Sequence, residues 1–370
     1  MKILLLGDYS NCHRALATGL RHQGHEVTLI SDGSAWMQCE RDLDLTRRPG
    51  KLGGLHLFWK MLGPMHRYLR GYDIVALNDL NFVQLRPQRL RYIFDRLKRE
   101  NGAVFLTAMS TDIAYLDMVA AADSPLRYSE WHMGNEPSRW RKLNPDLWEK
   151  WHDPGLVDYQ RYALDHIDGA VSVLYEYELG MRRALGAEKS GYGGIPIDTS
   201  AFNPIMLPEQ PDKIKIFLGR DRTRMAMKGT DMLEEAAREV ISRHPDRALL
   251  TIVENRPFAE FISLMRDSHV VMDQIYSYTP ATTALMAMAY GLNVISGAEP
   301  EYYDYINEQH LRPIINAPTD MAGLIDTIEN VVLHPALIAE RGSQSRQFVE
   351  KHNSCEVVAR RFLDFWTSCL

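Results

Sequence analysis

The sequence predicts an α/β chain of two domains, each a doubly wound parallel sheet, and three observations lead there. Short apolar runs of strand length alternate with helical stretches. That alternation starts afresh after Asp198. The chain has 370 residues, 45% of them hydrophobic, whereas single cores rarely grow past about 250 to 300 residues.

Residues 2–6 read as the first strand, Gly7-Asp8-Tyr9-Ser10 as a polar turn, residues 11–23 as a helix and residues 27–30 as the second strand. Ser10 is expected to cap that helix, because its hydroxyl accepts from the exposed amides of the first turn. Further strands are expected at 73–77 and 103–107. In the second half they fall at 213–218, 248–253, 269–272, 292–295 and 312–315, with a helix over 231–241 whose Met232, Leu233, Ala236, Ala237, Val240 and Ile241 share one face.

The net charge of -6 gives no broad attraction to nucleic acid, and no nucleic-acid module is present. Cys12, Cys39, Cys355 and Cys369 lack the spacing of a zinc site or the density of a disulfide scaffold, and predict reduced thiols in a cytoplasmic protein. No stretch reaches the roughly 18 apolar residues that span a bilayer. No G-x-G-x-x-G follows a strand, which speaks against a nicotinamide dehydrogenase.

The run Gly194-Ile195-Pro196-Ile197-Asp198-Thr199-Ser200-Ala201-Phe202, closed by Asn203-Pro204, resembles the interdomain segment of family 4 GT-B glycosyltransferases, and "GHEVTLIS" at 24–31 is similar to their "GHEVTV". The likeness is strongest over residues 194–316 and weaker over 1–111. It implies two Rossmann-like domains facing a central cleft. Residues 1–195 form the acceptor side, 196–354 bind a nucleotide sugar, and a helix in 355–370 packs back on the first domain.

Departure of a nucleoside diphosphate builds negative charge that must be met by a metal or by fixed cations. "GRDRTRMAMKG" supplies Arg220, Arg222, Arg224 and Lys228 after a strand. The resemblance assigns an Arg and the Lys-Gly pair to the diphosphate, with Lys228 the firmer choice and the arginines open. Thr279-Pro280 reads as a helix start whose amides at Ala281, Thr282 and Thr283 would face a bound phosphate. The chain departs from the family at its two glutamates, since Tyr278 and Met286 stand in their positions. Asp273, Glu254 and the pair Glu299 and Glu301, which resembles the family's "G-x-P-E", are the acids at hand.

On the first domain the resemblance turns Gly7 to His13 toward the cleft, with Gly7 letting the backbone approach the donor and Asn11 and His13 as the nearest polar groups. Asp112 falls near the family's His-Asp, either as a helix cap or as a contact to sugar hydroxyls. Asp42-Leu43-Asp44 is a literal D-x-D but lies in a polar stretch, so no metal role is expected.

Residues 124–154 break the periodicity and carry Trp131, Trp140, Trp148 and Trp151. The segment reads as a cover over the acceptor side or as an irregular excursion packed on the first domain. The run from Leu55 to Arg70, apolar with Lys60, Arg67 and Arg70, reads as a helix packed on the sheet or as a peripheral contact with an anionic membrane. The function implied is a metal-independent, retaining glycosyltransferase with no cofactor, taking a nucleotide-sugar donor and a glycan or lipid-linked acceptor. A nucleotide-sugar 2-epimerase and a degenerate binding protein are the alternatives.

Overall fold

A computed structural model describes residues 1–34 and 37–370. They form two compact units: Met1–Pro125 with Asn144–Pro196 and Cys355–Leu370, and Leu126–Leu143 with Ile197–Ser354. In chain order the strands are β1 (Lys2–Leu6), β2 (Glu26–Ser31), β3 (Leu43–Asp44), β4 (Ile74–Leu77), β5 (Ala103–Ala108), β6 (His132–Met133) and β7 (Glu136–Pro137). They continue as β8 (Gly169–Ser172), β9 (Ser190–Tyr192), β10 (Ile214–Gly219), β11 (Ala248–Val253), β12 (Val270–Met272), β13 (Asn293–Ser296) and β14 (Ile315–Asn316).

The first unit holds a seven-stranded sheet in the order β3-β2-β1-β4-β5-β8-β9, parallel throughout. Parallel strands are covered on both faces, which is why β1, β4 and β5 are near-continuous apolar runs. Leu4, Leu6, Val75, Leu77 and Leu106 pack with Leu90, Phe94 and Leu97 of helix Pro87–Glu100. The chain leaves β1 for β2 on one side and reaches β4 on the other. The order reverses there, and open α/β sheets bind ligands beyond the carboxyl ends of the strands at such a point. Helix Cys355–Ser368 packs against helix Cys12–His22 so closely that a Cβ on Gly19 would lie 2.0 Å from the Cys355 carbonyl oxygen.

The second unit holds a parallel sheet in the order β11-β10-β12-β13-β14, reversing between β10 and β12. Its core joins Ile216, Leu218 and Met272 to Leu233, Ala237 and Val240 of helix Thr230–Arg243 and Leu324 and Ile328 of helix Met321–Leu333. Each unit is thus a Rossmann-like layer of helices on a doubly wound sheet. No single helix among the described residues is long and apolar enough to cross a membrane.

Several local expectations change. Helix Cys12–His22 starts beyond Ser10, whose φ of 53° is left-handed, as is the 66° of Asn11. The capping acceptor is Asp8, whose Oδ1 takes the His13 N–H at 2.9 Å. The strand expected at 312–315 begins only at Ile315, since Pro313 has no N–H for a ladder. β3, β8 and β9 went unread because Leu43-Asp44, Gly169-Ala170-Val171-Ser172 and Ser190-Gly191-Tyr192 contain no apolar run longer than two residues. The Trp-rich segment divides: Leu126–Leu143, with the β6-β7 hairpin, belongs to the second unit and not to the first.

Candidate functional site

In the second unit, β10 ends at Gly219 and the four cations follow. Arg220 lies between Glu234 and Glu254 and is ion-paired to both. Arg222 reaches Glu254 at 2.9 Å, Arg224 reaches Asp221 at 3.1 Å, and Lys228 Nζ stands 3.1 Å from Asp273 Oδ1 at the end of β12. What burial Glu254 has raises its pKa, but hydrogen bonds from Arg220 and Arg222 outweigh it and hold the carboxyl below the usual range. The Ile275 N–H donates to the Lys228 carbonyl at 2.9 Å. Gly229, at φ 71°, leaves room for the Ile275 side chain, which a Cβ would meet at 2.3 Å. The loops after β10 and β12 are therefore locked together at the point where strand order reverses.

The helix after β12 runs Thr282–Ala289, two residues later than the sequence suggests, with Ala281 at its cap position and no side-chain cap. Thr279 is instead buried in a turn, where its N–H donates to Ser277 Oγ. Thr282 and Thr283 form the half-exposed first turn, whose amides have no intrahelical partner. Met286 is 6% exposed within the buried stretch from Ala284 to Ala289.

Tyr278, Glu299 and Glu301 meet the inserted segment. The Arg127 N–H donates to the Tyr278 hydroxyl at 2.7 Å, and the Arg127 guanidinium pairs with both Glu299 and Glu301. Tyr128 Oη donates to Glu299 Oε1, and its ring lies 4.9 Å from that of Tyr278. A second anchor joins Arg139 to Asp231. Trp131 and Trp140 are buried at 2% and 8% exposure. Leu126–Leu143 is thus not an excursion packed on the first unit but a segment bolted to the second by charge pairs and stacked tyrosines.

In the first unit, the reversal between β1 and β4 brings Gly7-Asp8 beside Asn78-Asp79. Gly7, at φ 81°, faces the Asn78 amide, and a Cβ would meet its Oδ1 at 2.0 Å. His13 is fully buried, with Nδ1 2.7 Å from the Gly7 carbonyl and Nε2 2.9 Å from Thr107 Oγ1. Burial lowers its pKa to about 4, so it is a neutral bolt between β1 and β5 with both nitrogens engaged. Asn11 makes no side-chain cap bond, and its N–H donates to Ser34 Oγ. Asp112 caps helix Ile113–Ala120 by accepting the Tyr115 N–H at 2.9 Å.

Two carboxyls, Asp8 and Asp112, are buried at this edge, and Asp79 is partly buried. Desolvation raises Asp112 to about 7, and raises Asp8 and Asp79 each to about 6. Asp79 adds to the shift of Asp112. Asp8 Oδ2 and Asp79 Oδ1 have no hydrogen-bond partner. Sequence reading missed Asp8 and Asp79, although both are the second residue after an apolar strand, where the strand-end rule points.

The D-x-D carboxylates serve the protein itself. Asp42 takes Arg21 and the Leu29 N–H, each at 2.7 Å, and Asp44 takes Arg41 and Thr46. No group of three or more His, Cys, Asp or Glu that could hold a metal occurs among the described residues.

No family model matches the chain, and no curated protein sequence matches it. Solved structures do. A sucrose-phosphate synthase of Thermosynechococcus elongatus is 14% identical at a TM-score of 0.61, covering 99% of this chain and 98% of its own. Anabaena HepE, solved with UDP-glucose, is 12% identical at 0.60, with both chains wholly covered. The UDP-GlcNAc 2-epimerase of Neisseria meningitidis, solved with UDP-GlcNAc, is 9% identical at 0.55, covering 99% and 100%. The fold is GT-B.

Proposed function

We propose that this chain is a metal-independent, retaining glycosyltransferase that moves a sugar from a nucleoside diphosphate sugar to a glycan or lipid-linked glycan. The observation that carries the reading is the gathering of Arg220, Arg222, Arg224 and Lys228 between β10 and the following helix, at the reversal of the second sheet. Similar structures hold UDP sugars, which supports a nucleotide-sugar donor. In this reading the cations exchange carboxylate partners for diphosphate oxygens, and the amides of Thr282 and Thr283 add the positive end of a helix. Charge developing on the leaving diphosphate is then met by groups already fixed in place. By the family resemblance the acceptor attacks on the face from which the diphosphate leaves, so no protein nucleophile is assigned. A lipid-linked acceptor would bring a peripheral contact with a membrane.

The carboxyls Asp8, Asp79 and Asp112 favour one second reading, a 2-epimerase. Elimination and re-addition of a nucleotide need acid and base groups, and carboxyls raised to about 6 or 7 suit that work near neutral pH.

Thermal melts with UDP, GDP, dTDP, ADP and their sugars test the donor. A ligand at 100 times its dissociation constant stabilises by about 2.7 kcal/mol. A stabilising sugar nucleotide is then incubated without acceptor: a C2 epimer identifies the epimerase, and turnover that needs an acceptor and persists in EDTA identifies the transferase. No shift with any nucleotide would sink both readings.

A further inference from the structure

Between Leu45 and Tyr72 the first unit carries Arg47, Arg48, Lys51, Lys60, Arg67 and Arg70 and no aspartate or glutamate, in a chain of net charge -6. Helix Gly53–Leu62 lies in this segment and has two apolar faces. Leu57 and Met61 are buried in the core, as a helix packed on a sheet requires. Leu52, Leu55 and Trp59, spaced three and four residues apart, form a second stripe that is 74%, 37% and 62% exposed. Trp59 meets Phe58 edge-on at 5.9 Å, and Phe58 meets the exposed Tyr92 of helix Pro87–Glu100 at 5.8 Å. That second helix places Arg89 5.7 Å over the Phe58 ring. Of the six cations only Lys60 has a carboxylate partner, Asp44 at 3.9 Å, among the described residues. A cleft lined by Asp44, Thr46, Arg47, Arg48, His56 and Lys60 opens on the same segment, its His56 and Lys60 carried by the helix that bears the stripe.

We propose that this face docks on an anionic lipid bilayer, with Leu52, Leu55 and Trp59 entering the interface and the cations over lipid phosphates. Scattered exposed apolar residues are ordinary, but here they form one stripe in a segment whose cations, Lys60 apart, have no carboxylate partner among the described residues, with a tryptophan of the kind that settles at the headgroup level. A soluble polyanion would engage the cations and leave Leu52 and Trp59 in water. A protein partner would gain little from a segment with six cations and no acid. Only a bilayer with anionic headgroups uses both halves of the surface, and the geometry needs no substrate in the site proposed above.

The test is co-sedimentation of the full chain with vesicles of phosphatidylcholine alone or mixed with phosphatidylglycerol. Binding is expected to the mixed vesicles only and to fall as salt rises. Arg48→Glu with Lys51→Glu should lower it by at least about tenfold, since each cation near such a surface contributes about fivefold. Leu52→Ala with Trp59→Ala should also lower it, with thermal melts and UDP affinity unchanged because both side chains are exposed. Equal binding to both vesicle types, or none, overturns the proposal. So does an unchanged Leu52→Ala/Trp59→Ala variant, which would make the face a site for soluble polyanions.

Discussion

Lys228→Ala separates the ligand role of this lysine from its structural one. Asp273 is 2% exposed, its Oδ1 lies 3.1 Å from Lys228 Nζ, and its Oδ2 has no hydrogen-bond partner. Stripping the cation from a fully buried pair costs about 3–5 kcal/mol. Lys228 keeps 31% of its side chain in water, so water replaces part of what is lost, and about 1–3 kcal/mol is the expected destabilisation. The double variant Lys228→Ala/Asp273→Asn removes the stranded charge and should recover most of that loss. UDP affinity should behave otherwise: a charge-assisted contact worth roughly 1.5–3 kcal/mol is gone in both variants, so both should bind about 10 to 100 times more weakly. Urea melts and titration calorimetry with UDP read the two quantities separately. A double variant as unstable as the single one would show that Asp273 is not what Lys228 compensates, and a double variant with wild-type UDP affinity would remove Lys228 from the site.

Asp112→Asn tests the buried carboxyl edge. Its folded pKa of about 7 lies above the unfolded value of about 3.9, so the stability it contributes is full below pH 4 and is lost as pH rises through 7. Asparagine still accepts the Tyr115 N–H, and in urea melts the variant should gain about 1–3 kcal/mol on wild type between pH 5 and pH 8; a difference independent of pH would refute the assignment. Gly7→Ala must hold alanine at φ 81° against Asn78 and should cost at least about 2 kcal/mol; a melt matching wild type would show that the Gly7 backbone is not confined as described. Met286→Glu places a carboxylate at a site 6% exposed and should cost roughly 2–4 kcal/mol at pH 8 and less at pH 5; a stable variant that binds UDP more tightly would instead support the family's ribose contact at this position.

The strands of both sheets were legible wherever burial on both faces made an apolar run four or more residues long, as in Lys2–Leu6 and Ala103–Ala108. Four cations in nine residues after such a strand were legible for the same reason, being close in sequence. Their partners were not. Glu234, Glu254 and Asp273 come from three other elements, and only the folded sheet brings them to Arg220 and Lys228. The first-unit cap was misread because Ser10 and Asn11 take left-handed backbone, which moves the helix start one residue on and hands the amide to Asp8. The side taken by Leu126–Leu143 rests on pairs between residues more than 150 positions apart, such as Arg127 with Tyr278 and Glu299, and no local pattern encodes them.

Those pairs bear on the two glutamates the family resemblance leads one to expect. Tyr278, in the position of the first, spends its hydroxyl on the Arg127 N–H. Glu299 accepts from Arg127, Tyr128 and Asn316 at once, and Glu301 takes the other arm of Arg127. Tyr278 and Glu299 are thus already engaged by the inserted segment, and Glu301 is held through one oxygen while its buried Oε2 has no hydrogen-bond partner. A ligand needing these groups would have to break a charge pair and a stacked tyrosine contact. One that left them alone would have to take its polar contacts from the first turn at Thr282 and Thr283 and from the cations after β10. The second course is the cheaper, because Arg222 and Arg224 are 72% and 45% exposed on a short helical turn and exchange partners at little cost in buried charge. Under the proposed transferase reading, the second unit would then hold the diphosphate and leave the sugar largely to other groups, so UDP alone should bind nearly as well as a UDP sugar.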